Sequence, residues 1–205
     1  MATIYFVVTF SGHNDPKRSG TRNNAGFAYL APLLQEGARE VSRFAFFAGL
    51  GLTDSNRVAE SVLATTRSYF ATEYRGRSFS DLRFLIYGAS AGGITALSFA
   101  LKVPDSQIAY IGLADAAFYR GETDQFMTNP GSRAYFGNEN FFQTWQNNPD
   151  EPEIHGPVKG FTNTDMTNTL THKEVAGDPH VACIQRAVPI CLNSMKAVIR
   201  SDRAA

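Results

Sequence analysis

The chain has 205 residues, with 19 Lys+Arg balanced by 19 Asp+Glu for a formal net charge of zero, a length that fits one domain over residues 1–205. With 43% hydrophobic and 19% charged residues, the composition excludes an intrinsically disordered chain. The neutral balance, with no basic tail, argues against a nucleic-acid partner, because binding phosphate needs clustered Lys and Arg.

The elements follow in chain order. Thr3–Phe10 (TIYFVVTF) is a continuous apolar, β-branched and aromatic run, the pattern of a strand covered on both faces. It is far shorter than the roughly 20 residues of a spanning helix. No Lys or Arg precedes it, so it lacks the start of a signal peptide, and a cytoplasmic location is expected. A polar loop over Ser11–Asn24 leads to a short helical stretch around Phe27–Glu36. Val41–Ala48 reads as a second strand. Thr53-Asp54-Ser55 is suited to cap a helix over Asn56–Tyr74, where Val58, Val62, Leu63, Tyr69 and Phe70 recur at helical spacing. Leu82–Tyr87 is a third strand, a helix of small residues starts near Ala91 and ends before Pro104, and Gln107–Leu113 is a fourth strand. This alternation predicts an α/β fold, a mainly parallel sheet with helices on both faces.

The second half reads differently. Residues 120–171 are rich in Asn, Gly, Pro and Thr, a loop-rich excursion of the kind that is more often functional than inert. One further strand is expected near Pro157–Thr162. A final helix runs from Pro179 to about Arg200, capped by Asp178 and kinked at Pro189. Cys183 and Cys191 fall in that helix; at ~1.5 Å rise per residue they are about 12 Å apart, too far to bridge, so both are expected as free buried thiols.

The segment richest in chemistry is Gly88-Ala89-Ser90-Ala91-Gly92, a G-x-S-x-G sequence placed between an apolar strand and a helix. A serine on such a sharp turn is lifted clear of the sheet, and the glycines remove side chains that would collide across it. The N–H of Ala91 is then aimed where an oxyanion develops, with Ser11 or Gly12 after the first strand as the second donor. A serine needs a base, and the base a carboxylate to orient it. Asp115 ends the strand after the elbow and is the expected acid, with Asp124 and Asp165 in reserve. Among the four histidines, His172 in the loop before the last helix fits the order Ser, Asp, His, and His180 is the reserve. His155 has nothing to place it. His13 follows the first strand and is expected to line the cleft. The aromatics Tyr135, Phe136, Phe141, Phe142 and Trp145 are expected as walls or flap of an acyl pocket, or else as plain core. Neither a metal nor a cofactor is called for.

On these residues the chain resembles the α/β-hydrolases, and one branch in particular, which includes the phospholipase effectors of type VI secretion. Phe10-Ser11-Gly12-His13-Asn14-Asp15 stands where that branch has an F-D-G-T-x-N-D loop, and Gly49-Leu50-Gly51-Leu52-Thr53 matches its G-x-G-T turn. Its G-F-S-R-G elbow corresponds to residues 88–92, its D-T-V to Asp115-Ala116-Ala117, and its H-x-D-V-G-G to His172-Lys173-Glu174-Val175-Ala176-Gly177. Two positions depart from the pattern: Ser11 replaces an aspartate and Ala91 an arginine. The resemblance implies a single α/β-hydrolase domain acting on a small or lipid-like acyl substrate by ester hydrolysis, and favours His172 over His180. Thioester hydrolysis or acyl transfer would use the same triad, and a silent α/β-hydrolase-like binding module would use none of it.

Overall fold

In the computed structural model, residues 3–10, 39–40, 52–116, 141–147, 165–171 and 179–204 are described. Strand β1 is Ile4–Phe10, β2 Arg39–Glu40, β3 Leu82–Ala89, β4 Ile108–Ala114, β5 Phe141–Asn147 and β6 Asp165–Thr171. Helix α1 is Leu52–Glu73, α2 Gly92–Leu101 and α3 Pro179–Ala204. The six strands form one sheet in the order β2-β1-β3-β4-β5-β6, and every pairing is parallel. The α/β prediction therefore holds.

The apolar runs became strands for the reason their composition suggests. All seven residues of β1 and all seven of β4 are buried, which only a strand flanked by neighbours and covered on both faces achieves. Ile4, Phe6, Val8 and Phe10 point to one face, where α1 and α2 supply Ala59, Val62, Phe70, Ile94, Leu97 and Phe99. Tyr5 and Val7 point to the other, where α3 supplies Ala187, Val188, Cys191, Met195 and Ile199. A bulge shifts the β3–β4 register between Phe84 and Leu85, so Ala109 and Tyr110 both serve the α3 face.

Three expectations need correction. Helix α1 begins at Leu52, not Asn56, so Thr53-Asp54-Ser55 lies in its first turn instead of serving as its cap. The segment read as loop-rich contains two seven-residue strands, β5 and β6. Phe141, Phe142 and Trp145 are strand residues of β5, which pairs with β4 on one side and β6 on the other, so they are not part of a flap. Finally, α3 continues past Arg200 to Ala204 with Pro189 inside it. The predicted helix at 27–36 and the predicted strands at 41–48 and 157–162 lie outside the described residues, as does the predicted cap Asp178. Cys183 and Cys191 are buried thiols outside any disulfide, as expected.

Helix α3 is anchored at two points. A Cβ built on Gly112 of β4 would lie 2.6 Å from Cys191 Sγ and 3.3 Å from Cys191 Cβ, so strand and helix meet backbone to thiol. At the far end of the helix, the Tyr5 hydroxyl donates to the Asp202 carboxylate. That contact near the start of β1 shows that α3 runs antiparallel to the strands and enters at their carboxyl ends.

Candidate functional site

The direction of chain growth in the sheet reverses between β1 and β3, since β2 lies beyond β1 and β4 beyond β3. In open parallel sheets the crevice outside the carboxyl ends of such a pair is where ligands bind. Ser90 is the residue that leaves β3 at that point.

Ser90 has φ +55°, left-handed backbone that costs a non-glycine residue about 1–3 kcal/mol. The turn is held by its own backbone: the Ser90 N–H donates to the Ala114 carbonyl (3.0 Å) and the Gly93 N–H donates to the Ser90 carbonyl (2.9 Å). Ala91, at φ −57° and ψ −23°, is the N-cap of α2 and supplies no capping side chain. The N–H groups of Ala91 and Gly92 thus belong to a first turn whose donors find no acceptor within the helix. They sit beside a partly exposed serine. The arrangement can stabilise a negative charge that forms next to Ser90 Oγ.

The glycine requirement is sharper than the motif suggests. A Cβ at Gly88 would lie 2.7 Å from both Ala96 Cβ and the Gly92 carbonyl oxygen, so the elbow tolerates no side chain there. The tightest approach belongs to Gly93, which the motif does not include: its Cβ would lie 2.3 Å from Ala116 Cβ and 3.0 Å from Ala116 Cα. The paired Gly92-Gly93 and the small residues after Asp115 were the available signal.

Asp115 is completely buried and has φ +44°, a conformation that Asp tolerates better than most residues. Ala89 and Ala114 are register partners, so Ser90 and Asp115 leave neighbouring strands at the same level, about 5 Å apart along the sheet. Of the sequence-predicted residues, Ser90, Ala91 and Asp115 are thus brought together. The reserve acid Asp165 is not: it opens β6 opposite Phe142, which is level with Gly112, below the edge where Ser90 stands. Asp165 opens its strand instead of leaving it, three strands along from β3, even though the register starts β5 and β6 higher in the sheet than β3 and β4.

For the same reason β5 and β6 rise beyond the site. Thr144 pairs with Ala114, and Trp145–Asn147 continue against Thr169–Thr171, an overhang of about 10 Å. His172 follows Thr171, the last residue of β6, and lies outside the described residues. His180 is the second residue of α3, on the amino-terminal side of the Cys191 that meets Gly112, so its backbone belongs to the end of the helix that enters at the carboxyl ends of the strands. Ser11, Gly12, His13, Asp124, Tyr135, Phe136 and His155 also lie outside the described residues.

Among the described residues, two buried titratable groups with raised values, Cys191 and Tyr110, lie on the α3 face of the sheet. Burial pushes the Cys191 thiol up to about 12, and burial likewise raises Tyr110, whose hydroxyl faces Cys191 and Ser194, well above the ordinary tyrosine value. Among the described residues no group of three or more His, Cys, Asp and Glu side chains could hold a metal ion. Among them, too, no helix is long and apolar enough to cross a membrane.

No protein-family model matches the chain, and no curated protein matches it. Among solved structures it is similar to an esterase from Exiguobacterium antarcticum, at 13% identity and a TM-score of 0.45, over 97% of this chain and 93% of that one.

Proposed function

We propose that the chain is a serine hydrolase that cleaves a carboxylic ester through an acyl-enzyme on Ser90. The observation that carries this reading is the left-handed backbone of Ser90 in a strand-to-helix turn, at the carboxyl end of β3 and at the switch point of the sheet. Strain at one serine, paired with free helix N–H donors, is what a nucleophile needs and what a merely structural turn would avoid by using glycine. The family resemblance read from residues 88–92 and 115–117 points the same way.

In the proposed reaction, a histidine accepts the Ser90 hydroxyl proton as Oγ attacks the ester carbonyl. The carbonyl carbon becomes tetrahedral, and its oxygen takes the charge beside the N–H of Ala91, with a second donor from Ser11 or Gly12. The histidine returns the proton to the departing alcohol, and the acyl group stays on Ser90 until water, activated by the same histidine, releases the acid. His172 is the proposed base, with His180 the competitor. Asp115 is the proposed orienting acid. The acyl chain of a small or lipid-like substrate would lie against the edge of the sheet beyond β4, toward β5, with Tyr135 and Phe136 proposed as further pocket residues.

The test is labelling with a fluorophosphonate probe and identification of the modified residue. Ser90 should carry the label, and Ser90→Ala should abolish it while lowering turnover of a short p-nitrophenyl ester by about 10⁴-fold or more. His172→Ala should match that loss, and His180→Ala should not. A wild-type protein that stays unlabelled sinks the hydrolase reading; loss of labelling in His180→Ala alone reassigns the base.

A further inference from the structure

The contact between Gly93 and Ala116 ties the elbow to the exit of β4. Gly93 stands three residues after Ser90 and donates its N–H to the Ser90 carbonyl. Ala116 stands one residue after Asp115 and is 3% exposed. A second tie runs the other way, from the Ser90 N–H to the carbonyl of Ala114, one residue before Asp115. Ser90 and Asp115, the two left-handed residues among those described other than glycine, are therefore bracketed by one backbone hydrogen bond and one close packing contact.

From this geometry we infer that Gly93 and Ala116 are positioning residues, which set the separation of Ser90 from Asp115 without touching the substrate. The inference rests on the hydrolase reading of Ser90 and adds to it a residue pair outside the triad. A Cβ at Gly93 would stand 2.3 Å from Ala116 Cβ, and carbon atoms in contact settle at about 3.5–4.0 Å. Relief requires the first turn of α2 and the β4 exit to part by about 1 Å or more. That movement falls on the two segments that carry Ser90 and Asp115. A misplacement of about 1 Å is enough to cost roughly 10²-fold in rate. Removing Ala116 Cβ as well leaves a 3.0 Å approach to Ala116 Cα, which a shift of tenths of an ångström relieves.

The experiment is a two-by-two set: wild type, Gly93→Ala, Ala116→Gly and the double variant. Each is measured at a temperature where its circular dichroism shows it folded. The readouts are the rate constant for fluorophosphonate labelling of Ser90 and the separate kcat and KM on a p-nitrophenyl ester. Gly93→Ala should lower the labelling rate and kcat by about 10²-fold with little change in KM, and adding Ala116→Gly should restore both to within about tenfold of wild type. Should Gly93→Ala fail to fold, the double variant alone decides, since it must fold and label. A folded Gly93→Ala that labels at the wild-type rate, or a double variant no better than Gly93→Ala, overturns the positioning role and leaves the hydrolase reading intact. An unlabelled wild type sinks both, and is distinguished by needing no variant.

Discussion

The two faces of the sheet are built from different materials. On the α1–α2 face the core is made of rings: Phe84 meets Phe99 edge-on at 5.1 Å, Phe99 meets Phe10 at 5.7 Å, and Phe70 meets Phe79 at 5.5 Å. On the α3 face the same strands present Tyr87, Tyr110, Ala109 and Ala114 to Ala187, Cys191 and Met195, with hydroxyl and thiol groups among small side chains. Among the described core residues the aromatic rings thus gather largely on one side. The difference teaches how each helix is located: bulk fills the space under α1 and α2, whereas close backbone approach, Gly112 to Cys191, seats α3.

The largest expected effect comes from hollowing the ring side. Phe84 is fully buried, and Phe84→Ala should destabilise the protein by about 3–5 kcal/mol in urea or guanidinium unfolding. A loss below 1 kcal/mol would show that the rings are not what holds that face. On the other side, Gly112→Ala drives a methyl to 2.6 Å from Cys191 Sγ and should cost about 1–3 kcal/mol by overpacking. Cys191→Ala introduced with it should recover most of that loss, because the thiol is the nearest obstacle and the remaining approaches, to Tyr110 Cε1 at 3.1 Å and Cys191 Cβ at 3.3 Å, need shifts of only tenths of an ångström. Equal costs with and without the second substitution would break the comparison.

The smallest effect is set by pH. Cys191 titrates near 12 in the fold against an ordinary 9.0, and Tyr110 is raised above its ordinary 10.0. Both are groups whose folded value is raised, so their contribution is whole below the unfolded value and is lost as pH rises toward the folded one. Stability should therefore fall between pH 9 and 12, by roughly 1 kcal/mol from pH 9 to 10. In Cys191→Ala the slope from pH 9 to 10 should flatten, and the slope above pH 10, where Tyr110 enters, should persist. An unchanged slope below pH 10 would remove Cys191 from the account.

Much of the fold was legible because fully covered parallel strands advertise themselves. Thr3–Phe10, Leu82–Tyr87 and Gln107–Leu113 needed only end adjustments of one or two residues. Strands β5 (FFQTWQN) and β6 (DMTNTLT) were missed because Gln, Asn and Thr interrupt any apolar run, and pairing partners far along the chain leave no local trace. At the site, Ser90 was legible because a strand, a glycine-spaced serine and a helix are adjacent in sequence. The approach of Gly93 to Ala116 was not, since it joins two strand exits 23 residues apart. The left-handed backbone of Asp115 carries no sequence signal either, because Asp is common in many backbone states.

The hydrogen bond from Tyr5 to Asp202 spans 197 positions of the chain. During synthesis from the amino end, β1, β3 and β4 can assemble with α1 and α2 on the ring side while Tyr5, Val7, Leu85 and Leu113's neighbour Ala114 wait for their cover. Among the described residues it is α3 that covers this side of the sheet, so the emergence of α3 removes apolar surface that would otherwise favour aggregation of a nascent chain.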